Sequence, residues 1–191
     1  MDVMLIKPSE EFAAQIAEYR REFLDAGDSM DGCGSLRQTE NPFDYIKKCR
    51  DYEKFETLPE GKVVATQLLL VRRSDMRLVG MIQVRHYFNE YLSIYGGHIG
   101  YSVRPSERRK GYAKKMLASV IPYCLEIGLD KILVTCIDGN IASEKTIIAC
   151  GGVYESTVYE PSDKVYLKRF WIDTSKKTFI SEQKGKWTIN I

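Results

Sequence analysis

Within the stretch VRPSERRKGYAKK, the residues Arg104, Arg108, Arg109, Lys110, Lys114 and Lys115 set six cations against one carboxylate, Glu107, over twelve residues. Arg108, Arg109 and Lys110 stand directly before Gly111. After them an apolar ladder begins: Ala113, Met116, Leu117, Val120, Ile121, Cys124 and Leu125 recur at the spacing of one buried helix face. A helix N-terminus presents unpaired amides and about half a positive charge, so acidic side chains are its ordinary company. Three cations there repel that charge unless an anion lies between them. Gly111 lets the backbone come close to such an anion with no Cβ in the way. The chemistry this pattern supports is capture of a phosphate-like group. Two plainer readings compete with it, a solvated basic face and a nucleic-acid patch.

The elements that must position this turn are legible on either side of it. Residues 3–8 read as a strand, and Ser9 is placed to cap a helix whose face carries Ala13, Ile16, Ala17, Tyr19, Phe23 and Leu24. Asp25 to Ser35 is a glycine-bearing loop. Asn41 followed by Pro42 starts a second helix running to about Phe55. KVVATQLLLVRR and RLVGMIQVRHY flank SDM as a hairpin, and GGHIGYSV supplies a third strand. The central helix follows, with Gly128 after it, and Pro122 predicts a kink or an early end. DKILVTCI is a buried strand, Asn140 caps a short helix to Cys150, and residues 151–172 form a closing hairpin. The order is β-α-α-β-β-β-α-β-α-β-β: a mixed α/β fold with antiparallel N-terminal strands and a central β-α-β crossover. Residues 1–173 are expected to form one domain, with 174–191 a C-terminal extension of unassigned role.

Composition narrows the class of function. The 191 residues are 44% hydrophobic and 28% charged, ordinary for a globular chain that buries about 70% of its unfolded surface. A net charge of +2 gives no whole-molecule field for nucleic acid, and no run approaches a membrane span. Five cysteines without a C-x-x-C pair read as reduced core thiols, and the N-terminus lacks a signal-peptide pattern, so the expected compartment is the cytoplasm. Neither dinucleotide fingerprint is present. Two histidines with no spaced Cys/His set imply no metal.

The pattern Arg108-x-x-Gly111-x-Ala113, placed after a strand and opening an amphipathic helix, resembles the pyrophosphate-binding signature of the GNAT acetyltransferase superfamily, in its single-domain bacterial form. NIASEKTIIACGG resembles that family's later Asn-x-x-Ser helix, and the two stretches together cover about residues 95–154. The resemblance implies a GNAT-like fold that binds acetyl-CoA as cosubstrate and passes its acetyl group to a primary amine. Ser102 and Val103 would meet the pantetheine arm with backbone groups. Arg108, Arg109, Lys110, Gly111, Tyr112 and Ala113 would wrap the pyrophosphate, with Arg109, Lys110 or Lys114 neutralising the outer phosphates. Asn140 would bond the pantetheine, and Ser143 would lie near the sulfur.

The acid and base are less plainly written. Transfer to an amine requires a deprotonated nucleophile, a stabilised oxyanion and a protonated leaving thiolate. His98 stands where some members of the family carry a strand glutamate, and its ordinary pKa near 6.5 suits a base; packing is its plainer role. Glu90, in the aromatic loop, is the second candidate. The family's helix tyrosine is replaced by Ile147, which leaves Ser143, Tyr154, water or no particular group to serve the thiolate. Cys136 and Cys150 sit in apolar runs and read as packing, not as acyl carriers. Tyr87, Phe88, Tyr91 and Tyr95 can wall an acceptor pocket, stack on bases or cover the sheet edge. The rival function is a non-catalytic acyl-CoA-sensing module. The edge hairpins leave room for a homodimer, and no nucleic-acid or membrane partner is expected.

Overall fold

The computed structural model describes residues 2–176 and 189–190. Eight strands form a single sheet: β1 (Val3–Ile6), β2 (Ala65–Arg72), β3 (Arg77–Arg85), β4 (Ile99–Val103), β5 (Lys131–Ile137), β6 (Val153–Glu160), β7 (Val165–Asp173) and β8 (Ile189–Asn190). Their order across the sheet is β6-β7-β5-β4-β3-β2-β1-β8. Four α-helices cover it: α1 (Ala13–Asp25), α2 (Pro42–Asp51), α3 (Tyr112–Glu126) and α4 (Ile141–Ala149). The expected mixed α/β architecture and the crossover β4-α3-β5 are both present. Most of the expected C-terminal extension falls on 177–188 and Ile191, outside the described residues; β8 pairs parallel with β1.

Alternation along β2 sorts the core into two layers. Leu68 and Leu70 face α3 with Val79, Met116, Leu117 and Val120, whereas Leu69 and Val71 face α1 and α2 with Ile16, Tyr19, Phe23 and Tyr45. Gln67, in phase with Leu69, therefore lies on the α1–α2 side and directly opposite Gln83 of β3.

Three local expectations are corrected. Ser9 makes no side-chain cap; the chain enters α1 through a short 3-10 turn, Glu10–Phe12. Pro122 does not end α3, which continues to Glu126 because Ile121, Tyr123 and Cys124 on either side are held in the core. The third strand, expected from Gly96, starts at Ile99, since Leu92–Gly96 coils into a π-helical turn. The caps at Asn41 and Asn140 are as expected, with Oδ1 of each accepting from the amide of Phe43 or Ser143.

Candidate active site

β4 and β5 run parallel but share one register pair, Ile99 with Val134, and then separate. His98 sits at the point of departure. Its amide donates to the Leu133 carbonyl at 2.8 Å and its Nδ1 accepts from the Leu133 amide at 2.9 Å. That second bond requires an unprotonated Nδ1. Burial pushes the His98 pKa down to about 4, and the Arg85 guanidinium adds to the shift. Phe88 covers the ring at 3.9 Å between centroids.

Below pH 6.5 the unfolded chain takes up a proton on this histidine that the folded chain refuses, so stability is expected to fall as pH drops from about 6.5 to about 4. His98→Asn, whose Oδ1 can replace Nδ1 as the acceptor, is expected to flatten that part of the curve. Urea titrations of both proteins at pH 7 and pH 4.5 measure the difference.

Beyond Ile99 the strands open a gap of about 580 Å³. Arg85 donates to the His98 carbonyl, and Arg104 donates to Val79, so the even-numbered amides of β4 point toward β3. The odd ones, Tyr101 and Val103, therefore face the gap. Ser102 lines the gap, but its main chain belongs to the β3 ladder and to the Tyr19 hydroxyl, and its Oγ lies 3.1 Å from both Tyr19 Oη and Cys33 Sγ.

The basic run turns out to be divided. Arg104 is buried and pairs with Glu22 at 2.5 Å and Glu18 at 3.2 Å, fastening the turn to α1. Lys110 turns from the gap to Glu107 at 2.8 Å, which also holds Arg72 at 2.9 Å and Arg77 at 3.1 Å. Burial raises the Glu107 pKa, but Lys110 and Arg72 outweigh it and hold the carboxyl below the usual range. Arg108 pairs with Asp28 at 2.7 Å and donates from Nε to the Val103 carbonyl at 3.2 Å. Arg109 and Lys114 line the gap.

The turn itself is a cradle. Arg109 and Gly111 adopt left-handed conformations at φ +63° and +78°, and a Cβ on Gly111 would point into open space with no heavy atom within 4 Å. Among the described residues, the amides of Arg109, Lys110, Gly111, Tyr112 and Ala113 make no backbone hydrogen bond. Successive free amides at a left-handed turn opening a helix form an anion-binding concavity. The residues present therefore fit a phosphate-bearing ligand.

On the far wall of the gap stand Asn140, Ser143 and Cys136. The Tyr101 hydroxyl reaches across from β4 to Ser143 Oγ at 2.9 Å, and burial pushes its pKa up to about 12, so it stays protonated. Sequence reasoning missed Tyr101. The helical slot where a hydroxyl is usual holds the fully buried Ile147, and only the period-two count along GYSV could have brought Tyr101 to the same place from the strand. Cys136 and Cys150 are buried thiols with pKa values pushed up to about 11, inert at neutral pH. Tyr154 bonds Thr157 at 2.9 Å and does not line the gap.

A second cavity of about 550 Å³ lies on the α1–α2 side of β2 and β3. Gln67, Gln83 and Arg85 form its floor, and Tyr91 of the aromatic loop stands at its wall. Asp31 lines both cavities. Between them runs the loop 28–34, where Gly32 (φ +71°) lies against the Gly100 backbone so closely that a Cβ there would overlap the Gly100 carbonyl. His98 and the exposed Glu90 line neither cavity. No group of three or more His, Cys, Asp or Glu among the described residues is placed to hold a metal ion.

Solved structures share this architecture. The microcin C7 self-immunity acetyltransferase MccE, determined with acetyl-CoA and AMP, superposes with a TM-score of 0.67 at 16% identity, over 90% of this chain and 92% of that one. The ribosomal-protein-S5-alanine acetyltransferase of Vibrio fischeri gives 0.66 at 17% identity, over 91% and 93%. Dodecameric spermidine N-acetyltransferase of Vibrio cholerae gives 0.62 at 12% identity, over 95% and 98%. At these identities the likeness is one of fold. Among curated proteins, none matches the chain by sequence. The profile of the Acetyltransferase (GNAT) domain matches residues 13–153, a span that includes the splayed strands, the amide cradle and the Asn140 helix. With most of its length inside that match, the chain belongs to the GNAT family of acetyltransferases.

Proposed function

We propose that this protein transfers the acetyl group of acetyl-CoA to a primary amine, borne by a small molecule or a peptide N-terminus, by direct attack in a ternary complex. The observation that carries the reading is the row of free amides from Arg109 to Ala113, opening on a gap that continues between two splayed strands. Those amides would hold the pyrophosphate, with Arg109 and Lys114 beside it. Arg108 is committed to Asp28 and helps through its backbone. Asn140, its Oδ1 engaged in the cap, would present Nδ2 to the pantetheine arm.

The amides of Tyr101 and Val103 supply donors for the thioester oxygen as it gains charge. The acceptor ammonium gives up a proton to solvent before attack, its C–N bond forms as the C–S bond breaks, and the Tyr101–Ser143 hydroxyl pair donates to the departing sulfur. His98 acts as the clasp that starts the strand separation, and the acceptor amine comes from the second cavity past Asp31. Five unpaired cysteines suit a reducing cytoplasm. No helix among the described residues is long and apolar enough to cross a membrane.

Calorimetric titration with acetyl-CoA, followed by thiol release across a panel of amines, tests the proposal. Absence of binding heat defeats it. One feature favours a second reading: with Ile147 buried in place of a hydroxyl, tight coenzyme binding with no turnover on any amine would mark a sensing module. Tyr101→Phe separates the two, because in an enzyme it is expected to lower kcat roughly 10-fold while leaving the acetyl-CoA Kd unchanged. That is less than the usual effect of a proton-transfer group, because Ser143 keeps its hydroxyl.

A further inference from the structure

We infer that the acceptor is a small amine that also carries an anionic group, held in the second cavity with its ammonium end at Asp31 and its anion at Arg85. This rests on the acetyl-transfer reading above and narrows it to a substrate class.

The first support is charge. Arg85, Lys48 and Lys62 line this cavity, and Asp31, at the junction with the gap, is its one acid. Arg85 Nη1 donates to the Gly96 and Gly97 carbonyls at 3.0 and 3.1 Å, which fixes the plane of the guanidinium. Its Nη2 lies beside Gly100 of the splayed strand, 3.3 Å from where a Cβ on that glycine would be. No carboxylate among the described residues comes within ion-pair distance of Arg85, and Asp31 is the acid whose field reaches it. A fixed guanidinium on a cavity floor with no carboxylate partner is a site for a planar or tetrahedral anion.

The second support is the position of the one acid. Asp31 lines both the second cavity and the gap, so it asks for an N–H group where the two meet, while Arg85 and the two lysines ask for an anion deeper in. A zwitterionic amine answers both demands in about 550 Å³. A polyamine, positive along its length, would meet three cations and one acid.

The test compares acceptors at saturating acetyl-CoA: a set of α-amino acids and their amides, an aminoalkyl phosphate and its alcohol, and spermidine. The expected result is a kcat/KM at least 10-fold higher for the anionic member of a pair, and the carboxylate and phosphate arms tell which anion is taken. Arg85→Gln is expected to raise KM for that member at least 10-fold more than it raises KM for the uncharged member, with the acetyl-CoA Kd unchanged. Lys62→Gln, at an exposed position, shifts KM in the same direction if the Arg85 variant does not fold.

Equal or better use of the amides, the alcohol or spermidine overturns the inference and leaves acetyl transfer standing. So does a uniform loss in Arg85→Gln. If acetyl-CoA binds and no amine releases thiol, titration of the CoA-loaded protein with the same acids and phosphate decides, and absence of heat again overturns it. Failure of acetyl-CoA itself to bind is the separate failure of the function proposed above.

Discussion

Gly111→Val is expected to abolish acetyl-CoA binding, with Kd rising at least 100-fold, while the protein stays folded. Two effects combine. At φ +78° a β-branched residue is a steric outlier costing at least 1–2 kcal/mol, so the turn relaxes and the five free amides no longer converge. Any side chain that stays in place projects into open space at the mouth of the cradle, where a phosphate would lie. Gly111→Asn separates the two, since asparagine tolerates left-handed backbone. It should keep the turn and lose binding only in part. Calorimetry on both variants, with circular dichroism as the control for folding, reads the difference; wild-type affinity in Gly111→Val would remove the cradle from the site.

Glu107→Gln is expected to give the largest loss of stability. The carboxylate is buried and binds Arg72, Arg77 and Lys110, so neutralising it takes the shared anion away from three partly exposed cations, of which Arg72 keeps Asp75. Losing charged hydrogen bonds of this kind costs about 1.5–3 kcal/mol. For a chain of this length that corresponds to a fall in Tm of roughly 6 °C. The same cluster sets an acid limit. Because the folded pKa of Glu107 is lowered, the stability it contributes is present above the ordinary carboxylate pKa and lost as pH falls through the folded value. Thermal melts from pH 7 to pH 3 should show the Glu107→Gln curve converging on wild type at the acid end, and a constant gap would refute the assignment.

The strongest signals in the sequence were those that several constraints write at once. The turn at 108–113 combines a strand end, a glycine and an apolar ladder, and each points to the same element. The hairpin of β2 and β3 and the caps at Asn41 and Asn140 were legible for the same reason. What the sequence hid is the partition of charge. Arg104, Lys110 and Arg109 look alike in the sequence, yet one is bound to α1, whose Glu18 and Glu22 lie over eighty residues away, one folds back to the nearby Glu107, and one faces the gap. His98 carried a pattern that suits a base, but the pairing of β4 with β5 turns its Nδ1 into a backbone acceptor. The period-two count along GYSV could put Tyr101 on the gap side of its strand, but not show that a gap opens there, which depends on how far two strands diverge. The second cavity, assembled from four separate segments, left no motif.

Gly32 resting on Gly100 makes the partition between the two chambers a single layer of main chain. No side chain stands between these two glycines, and Asp31 is left at the opening beside them. Substitutions at Lys48, Lys62, Gln83 or Tyr91 can therefore retune which molecule enters the far chamber while this backbone contact stays in place. A wall of that kind lets specificity drift without re-aiming the reaction.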